Sequence, residues 1–209
     1  MSLRIGDTAP NFTIPTTKGE INFHDWIGDS WVFFFSHPAD FTPVCTTEMG
    51  RTAQLSQEFV TRNTKPLGLS TDTVEEHIKW IDDVNDTQNT DLAFPIVADA
   101  DHKVAQLYDM IHPGESETAA VRSVFIIDPN KIIRLTMTYP MSVGRNFDEI
   151  LRVIDALQTG DKHGIATPAD WLPGNKVIIP PSLTNEQASV KFPQGWDELR
   201  PYLRFTEVK

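Results

Sequence analysis

The 209-residue chain is long enough for one domain, or one domain with an appendage, and its 40% hydrophobic and 10% aromatic residues suffice for a buried core. Its formal net charge of -11 disfavours non-specific binding to nucleic acid or anionic lipid, and no apolar run approaches the ~20 residues of a membrane span. The single cysteine, Cys45, excludes an internal disulfide, and the start "MSLRIGDTAPNF" lacks the pattern of a secretory signal; a reducing, cytoplasmic setting is expected.

In chain order, "SWVFFFS" (30–36) is an aromatic-rich apolar run that reads as a buried strand. "HPAD" breaks it, and a helix signature follows. Thr42 suits an N-cap and Pro43 the first helical position; a residue before proline also avoids the helical region. Cys45, Met49, Thr52/Ala53, Ser56 and Phe59/Val60 then recur at helical spacing, which predicts Cys45 in the first turn on the inward face. "KPLGLS" (65–70) reads as the next strand. Residues 72–84 read as a helix, with Asp72 and Glu75 at capping-box spacing. "FPIVAD" (94–99) is a proline-led strand, and "DHKVAQLYDM" (101–110) a short helix. "AVRSVFII" and "KIIRLTMTY" flank the turn Asp128-Pro129-Asn130 as a hairpin. Residues 146–158 read as a helix with Phe147, Ile150, Leu151, Ile154 and Leu157 on one face.

This order predicts an α/β sandwich around a mostly central sheet over residues 1–160. Residues 161–209 carry six of the fifteen prolines and little periodicity, and read as an extended C-terminal arm. "DWLPG", "VIIPPSL" and "LRPYLRF" are too apolar for a disordered tail. An arm with such anchors and no core of its own is expected to pack on a partner subunit.

An isolated buried cysteine is ordinarily inert. A helix start changes that, because its free N–H groups and positive dipole end favour a thiolate, whereas an ordinary thiol is only ~3% ionised at pH 7. Around Cys45 each polar residue has two readings. Thr42 is an N-cap, or a cap that also turns its hydrogen toward the sulfur or a substrate. Arg122 lies on a strand apolar on both faces; it is either an edge charge facing water or a buried cation that needs an anion such as the Cys45 thiolate. Glu48, one turn after Cys45, is a helix-start acid or the group that orients Arg122 or Arg145. Arg145 is otherwise a solvated charge, and His37 either bonds near the thiol or shapes the loop. No His/Cys/carboxylate cluster shows ligand spacing, so neither a metal nor a cofactor is expected. A cysteine hydrolase would need His24 or His37 as base; a redox sensor would use the same thiol once, without turnover.

"SHPADFTPVCTTEMG" resembles the active-site segment of peroxiredoxins, Pro-x-x-x-Thr/Ser-x-x-Cys, as Pro38, Thr42 and Cys45. Together with "AVRSVFIIDPNK", "YPMSVGRNFDEILRVIDALQ" and "ATPADW", it is similar to the single-cysteine (1-Cys) subfamily from about residue 3 to about residue 207. The resemblance implies a thioredoxin-like fold with a C-terminal arm used in homodimers or higher oligomers. It implies that Cys45 attacks a hydroperoxide and becomes a sulfenic acid. Arg122, the Thr42 hydroxyl and the N–H groups of Val44 and Cys45 would stabilise the leaving oxygen. Pro38 would shield the thiol, and Glu48 and Arg145 would hold the arginine network. The chain has no resolving cysteine, so an external thiol, glutathione or the thioredoxin system, would reduce the sulfenic acid.

Some animal relatives carry a phospholipase site attributed to a Ser, a His and an Asp. Here Ser30 and His24 are present, but Val32 replaces the second Gly of the lipase-like motif. Asn130 stands where the Asp would be, and cannot supply the orienting anion. That activity is not expected, although Asp128 lies two residues earlier.

Overall fold

The computed structural model describes residues 3–208, which divide into two compact units, the first ending at Phe147 and the second beginning at Asp148. The first unit contains β1 (Thr13–Thr16), β2 (Gly19–Asn22), α1 (Phe23–Ile27), β3 (Trp31–Ser36), α2 (Pro43–Gln54), α3 (Ser56–Thr61) and β4 (Thr64–Ser70). It continues with α4 (Val74–Gln88), β5 (Ile96–Ala98), α5 (Lys103–Leu107), β6 (Arg122–Ile127) and β7 (Ile133–Tyr139). Its seven strands form one mixed sheet in the order β2-β1-β5-β4-β3-β6-β7. β3 runs parallel to β4 and antiparallel to β6, which makes it an interior strand.

The aromatic run explains that position. All six residues of β3 are buried, and alternation sends them to two cores. Phe34 packs with Phe12, Phe23, Tyr108 and Phe125, while Phe33 stacks on Phe35 and Phe59. Each fully buried phenyl contributes on the order of 2 kcal/mol.

The helix after β3 starts at Pro43, with Thr42 extended as N-cap (φ -116°, ψ 147°). It stops at Gln54 rather than running on to Val60. Leu55 (φ -90°, ψ 11°) breaks it, and α3 continues separately, leaving Val60 exposed. The cap of α4 lies one residue later than its sequence pattern suggested. Thr73 and Glu76 form the capping box, and Asp72 instead accepts from Asp40 N and Ser70 Oγ. The β6–β7 hairpin forms as expected, with β6 buried throughout.

The chain continues through α6 (Phe147–His163), followed by β8 (Val177–Ile178), α7 (Asn185–Lys191), β9 (Asp197–Arg200) and β10 (Leu203–Thr206). The last three strands form a sheet in the order β8-β10-β9. The expectation of an arm without a core fails here: Ile165, Trp171, Val177, Ile179, Ala188 and Phe192 form a buried cluster. Buried Arg204 ties the segment together through Asn185 Oδ1 and the carbonyls of Pro180 and Leu183. Prolines at the bends masked these short elements in the sequence.

Candidate active site

Cys45 is the third residue of α2 and is fully buried. The first intrahelical bond runs from Thr46 N to Thr42 O, so the N–H groups of Val44 and Cys45 precede the regular ladder. Arg122 leaves the first position of β6 and brings Nη1 to 3.4 Å from Cys45 Sγ. Its side chain is also fixed by Glu48 Oε2 at 2.7 Å and the Met141 carbonyl at 2.9 Å. Arg122 is 2% exposed, so the reading as a water-facing edge charge is ruled out.

Glu48 anchors both arginines. Arg145 donates to Oε1 through its backbone N (2.8 Å) and Nε (2.9 Å), and to Oε2 through Nη2 (2.5 Å). Arg145 Nη1 reaches the carbonyls of Ser36 and Ser123, and its guanidinium lies over the Phe35 ring. Burial pushes the Glu48 carboxyl up, but the charges and hydrogen bonds of Arg145 and Arg122 hold it below the usual carboxylate range. Two guanidiniums and one carboxylate therefore leave one positive charge in a buried space, directed at the sulfur. The readings of Glu48 as a helix-start acid and of Arg145 as a solvated charge are thus replaced by a buried network.

Pro38 is buried in the loop between β3 and α2. Thr42 differs in detail from its sequence reading. Its side chain accepts no capping N–H, and its hydroxyl donates to the Ala39 carbonyl at 2.8 Å. His37 belongs to the loop rather than to the thiol: Nε2 lies 2.9 Å from Asp40 Oδ1, and Nδ1 has no partner. Burial lowers the His37 pKa against the pull of Asp40, which leaves the ring neutral.

Sequence spacing missed a second group beside this loop. His37, Asp40 and Asp72 bring candidate ligand atoms within 4.8 Å of one another, and His77 joins them through Nδ1 at 2.6 Å from Asp40 Oδ2. Apart from His37 Nδ1, their ligand atoms are engaged in hydrogen bonds with one another and with neighbouring residues. The available signal was His77 on the inward face of α4, with Trp80 and Val84.

The remaining candidates are engaged separately. Ser30 Oγ donates to Asn63 Oδ1 and His24 Nε2 faces the Ala9 carbonyl. Asp128 accepts from the N–H groups of Asn130 and Ile132 and from Arg134.

Comparison with known proteins agrees with the architecture. Residues 5–136 match the AhpC/TSA family model, and residues 156–195 match the C-terminal domain of 1-Cys peroxiredoxin. The chain is 50% identical to a 1-Cys peroxiredoxin of Dictyostelium discoideum, across 98% of this chain and 85% of that one. It is 47% identical to peroxiredoxin-6 of Mus musculus, across 98% and 97%. A solved yeast mitochondrial 1-Cys peroxiredoxin, described in terms of thiol resolution via glutathione/thioredoxin systems, superposes with a TM-score of 0.92. The two are 51% identical over 99% of this chain and 100% of that one. A thioredoxin-like fold, a single helix-start thiol backed by arginine, and similarity along nearly the whole chain make this protein a member of the 1-Cys peroxiredoxins, thiol-dependent peroxidases that draw on an external reductant.

Proposed function

We propose that Cys45 is the peroxidatic thiol and that Arg122, Thr42 and Pro38 act on it directly. The observation that carries this reading is the 3.4 Å contact between Arg122 Nη1 and Cys45 Sγ, inside a network with one uncompensated positive charge. A thiolate at Cys45 closes that charge balance. The sulfur attacks one peroxide oxygen as the O–O bond breaks. The electron pair of that bond leaves on the second oxygen, which takes a proton and departs as water or an alcohol. Cys45 is left as a sulfenic acid.

Charge develops on the departing oxygen, where Arg122 and the N–H groups of Val44 and Cys45 can meet it. The Thr42 hydroxyl can rotate from Ala39 to the peroxide, and Pro38 keeps water from the sulfur. Glu48 and Arg145 fix the orientation of Arg122. His37 holds the loop through Asp40. Hydrogen peroxide and organic hydroperoxides are the substrate class.

The sulfenic acid condenses with an external thiol to a mixed disulfide and water; a second thiol then releases Cys45 as a thiol and leaves as the disulfide. Glutathione and the thioredoxin system are the reductants we propose, supported by the description of the yeast relative. We further propose a homodimer that uses the C-terminal segment, whose Leu172, Val190, Leu199 and Tyr202 are exposed, and a cytoplasmic setting suited to a lone thiol. Turnover of peroxide with each reductant in the wild type, and its loss in Cys45→Ser with the fold intact, tests the chemistry. Consumption that persists in Cys45→Ser contradicts it.

A further inference from the structure

The mechanism above uses Cys45, Arg122 and their supports, but leaves unexplained a buried charged group on the other side of the same loop. Asp40 lies between Pro38 and Thr42, and its side chain is almost fully buried. His37 Nε2 lies 2.9 Å from Oδ1 and His77 Nδ1 lies 2.6 Å from Oδ2. Asp40 N donates to Asp72 Oδ2, which also accepts from Ser70 Oγ. The second nitrogen of His77 faces the Val97 carbonyl at 3.1 Å.

A carbonyl and a carboxylate only accept, and each nitrogen of His77 faces one of them. Burial pushes the Asp40 carboxyl up, but hydrogen bonds from His37 and His77 bring it below the usual carboxylate range. Asp40 and His77 thus form a buried hydrogen-bonded pair between the active-site loop and α4, and α4 is joined to β5 through Val97. The charged or titratable groups around it are His37 on the loop, Asp72 before α4 and Glu76 on α4. Trp80 adds a second tie one turn along: its ring packs on His37, and its Nε1 donates to Thr46 Oγ1 in α2.

Cys45 is fully buried, so a small peroxide needs only a slight breathing of the loop, whereas the sulfur of a protein thiol reaches it only when the loop moves away. We propose that Asp40 and His77 are positioning residues that latch the Pro38–Thr42 loop closed and thereby set how often the oxidised Cys45 is open to its reductant. This rests on Cys45 being the peroxidatic thiol. Breaking the latch raises the open fraction and leaves the predominant closed state in place. Reduction then accelerates while peroxide attack is nearly unchanged. Loss of one buried charge-assisted hydrogen bond corresponds to about a tenfold change in that opening equilibrium.

The test measures the two half-reactions separately by stopped flow in the wild type, Asp40→Asn, His77→Gln and the double variant. The oxidant is hydrogen peroxide and the reductant is reduced thioredoxin. Ile133→Val, a buried change on β7 outside the loop and α4, serves as a control for lost stability. The expected result is about tenfold faster reduction in either single variant, with oxidation within about twofold of wild type. The double variant is expected to be no faster than the singles, because both residues act through one link. Reduction at wild-type rates, acceleration matched by Ile133→Val, or equal slowing of both half-reactions would overturn the latch. If the single variants do not fold, Asp72→Asn leaves Asp40 and both histidines in place and carries the same signs at smaller size; its reduction at the wild-type rate overturns the latch equally. A wild type that peroxide does not oxidise would instead sink the assignment of Cys45.

Discussion

Glu48 holds two guanidiniums in a space nearly closed to water. Removing one partner of such a network leaves an uncompensated buried charge. Glu48→Gln should therefore destabilise the fold by about 3–5 kcal/mol and slow peroxide attack, because Arg122 loses its anchor. Denaturant titration with parallel stopped-flow kinetics checks both; an unchanged midpoint would mean that the network is not holding charge as argued. Arg122→Ala should keep the thiol but slow its oxidation by about 10²–10³, the scale of losing one preorganised donor to developing charge. A second-order rate equal to wild type would remove Arg122 from the mechanism.

At the scale of elements, α2 carries the sulfur and is set by what it packs against. Gly50, on its buried side, has no Cβ because one would lie 2.3 Å from Gln88 Cγ and 2.5 Å from Gln88 Cβ on α4. Gly50→Ala should cost about 1–3 kcal/mol through overpacking, despite the better helix propensity of alanine. A rise in the thermal midpoint would contradict that packing. The start of α2 was legible because Thr42-Pro43 is a local signal. β3 was legible because six apolar or small residues between breakers have few alternatives. The Leu55 break was hidden, since inward spacing continues through Phe59 on either side of it. Asp40, Asp72 and His77 were hidden for a different reason: they come from two loops and a helix, and only the parallel pairing of β3, β4 and β5 brings them together. The C-terminal core was hidden because two- to four-residue strands carry almost no periodicity.

For the whole molecule, Glu48, Asp40 and His37 shape the acid limb of stability, with buried Asp99, raised by desolvation, acting in the opposite direction. Glu48 and Asp40 titrate below their ordinary 4.5 and 3.8 in the folded chain. The unfolded chain therefore binds protons that the folded chain refuses as pH falls below those values, and stability drops there. His37 is held below its ordinary 6.5, chiefly by burial. The unfolded ring takes up its proton first, so stability begins to fall below pH 6.5. Thermal midpoints from pH 8 to 3 should decline from about 6.5 and steepen below 4.5; a maximum near pH 4 would contradict the buried charges. The exposed Leu199 and Tyr202 belong to the same scale. If the proposed homodimer uses this surface, Tyr202→Asp should shift the mass measured by light scattering toward the monomer; an unchanged mass would contradict the proposed interface.

The most direct measurement mixes reduced protein with hydrogen peroxide in a stopped-flow instrument and follows with intact mass. The expected result is a second-order rate far above that of a free thiol and the gain of one oxygen on Cys45, both absent in Cys45→Ser. A rate no faster than a free thiol, or an oxygen added elsewhere in the chain, would contradict the claim that Arg122 and the start of α2 activate Cys45.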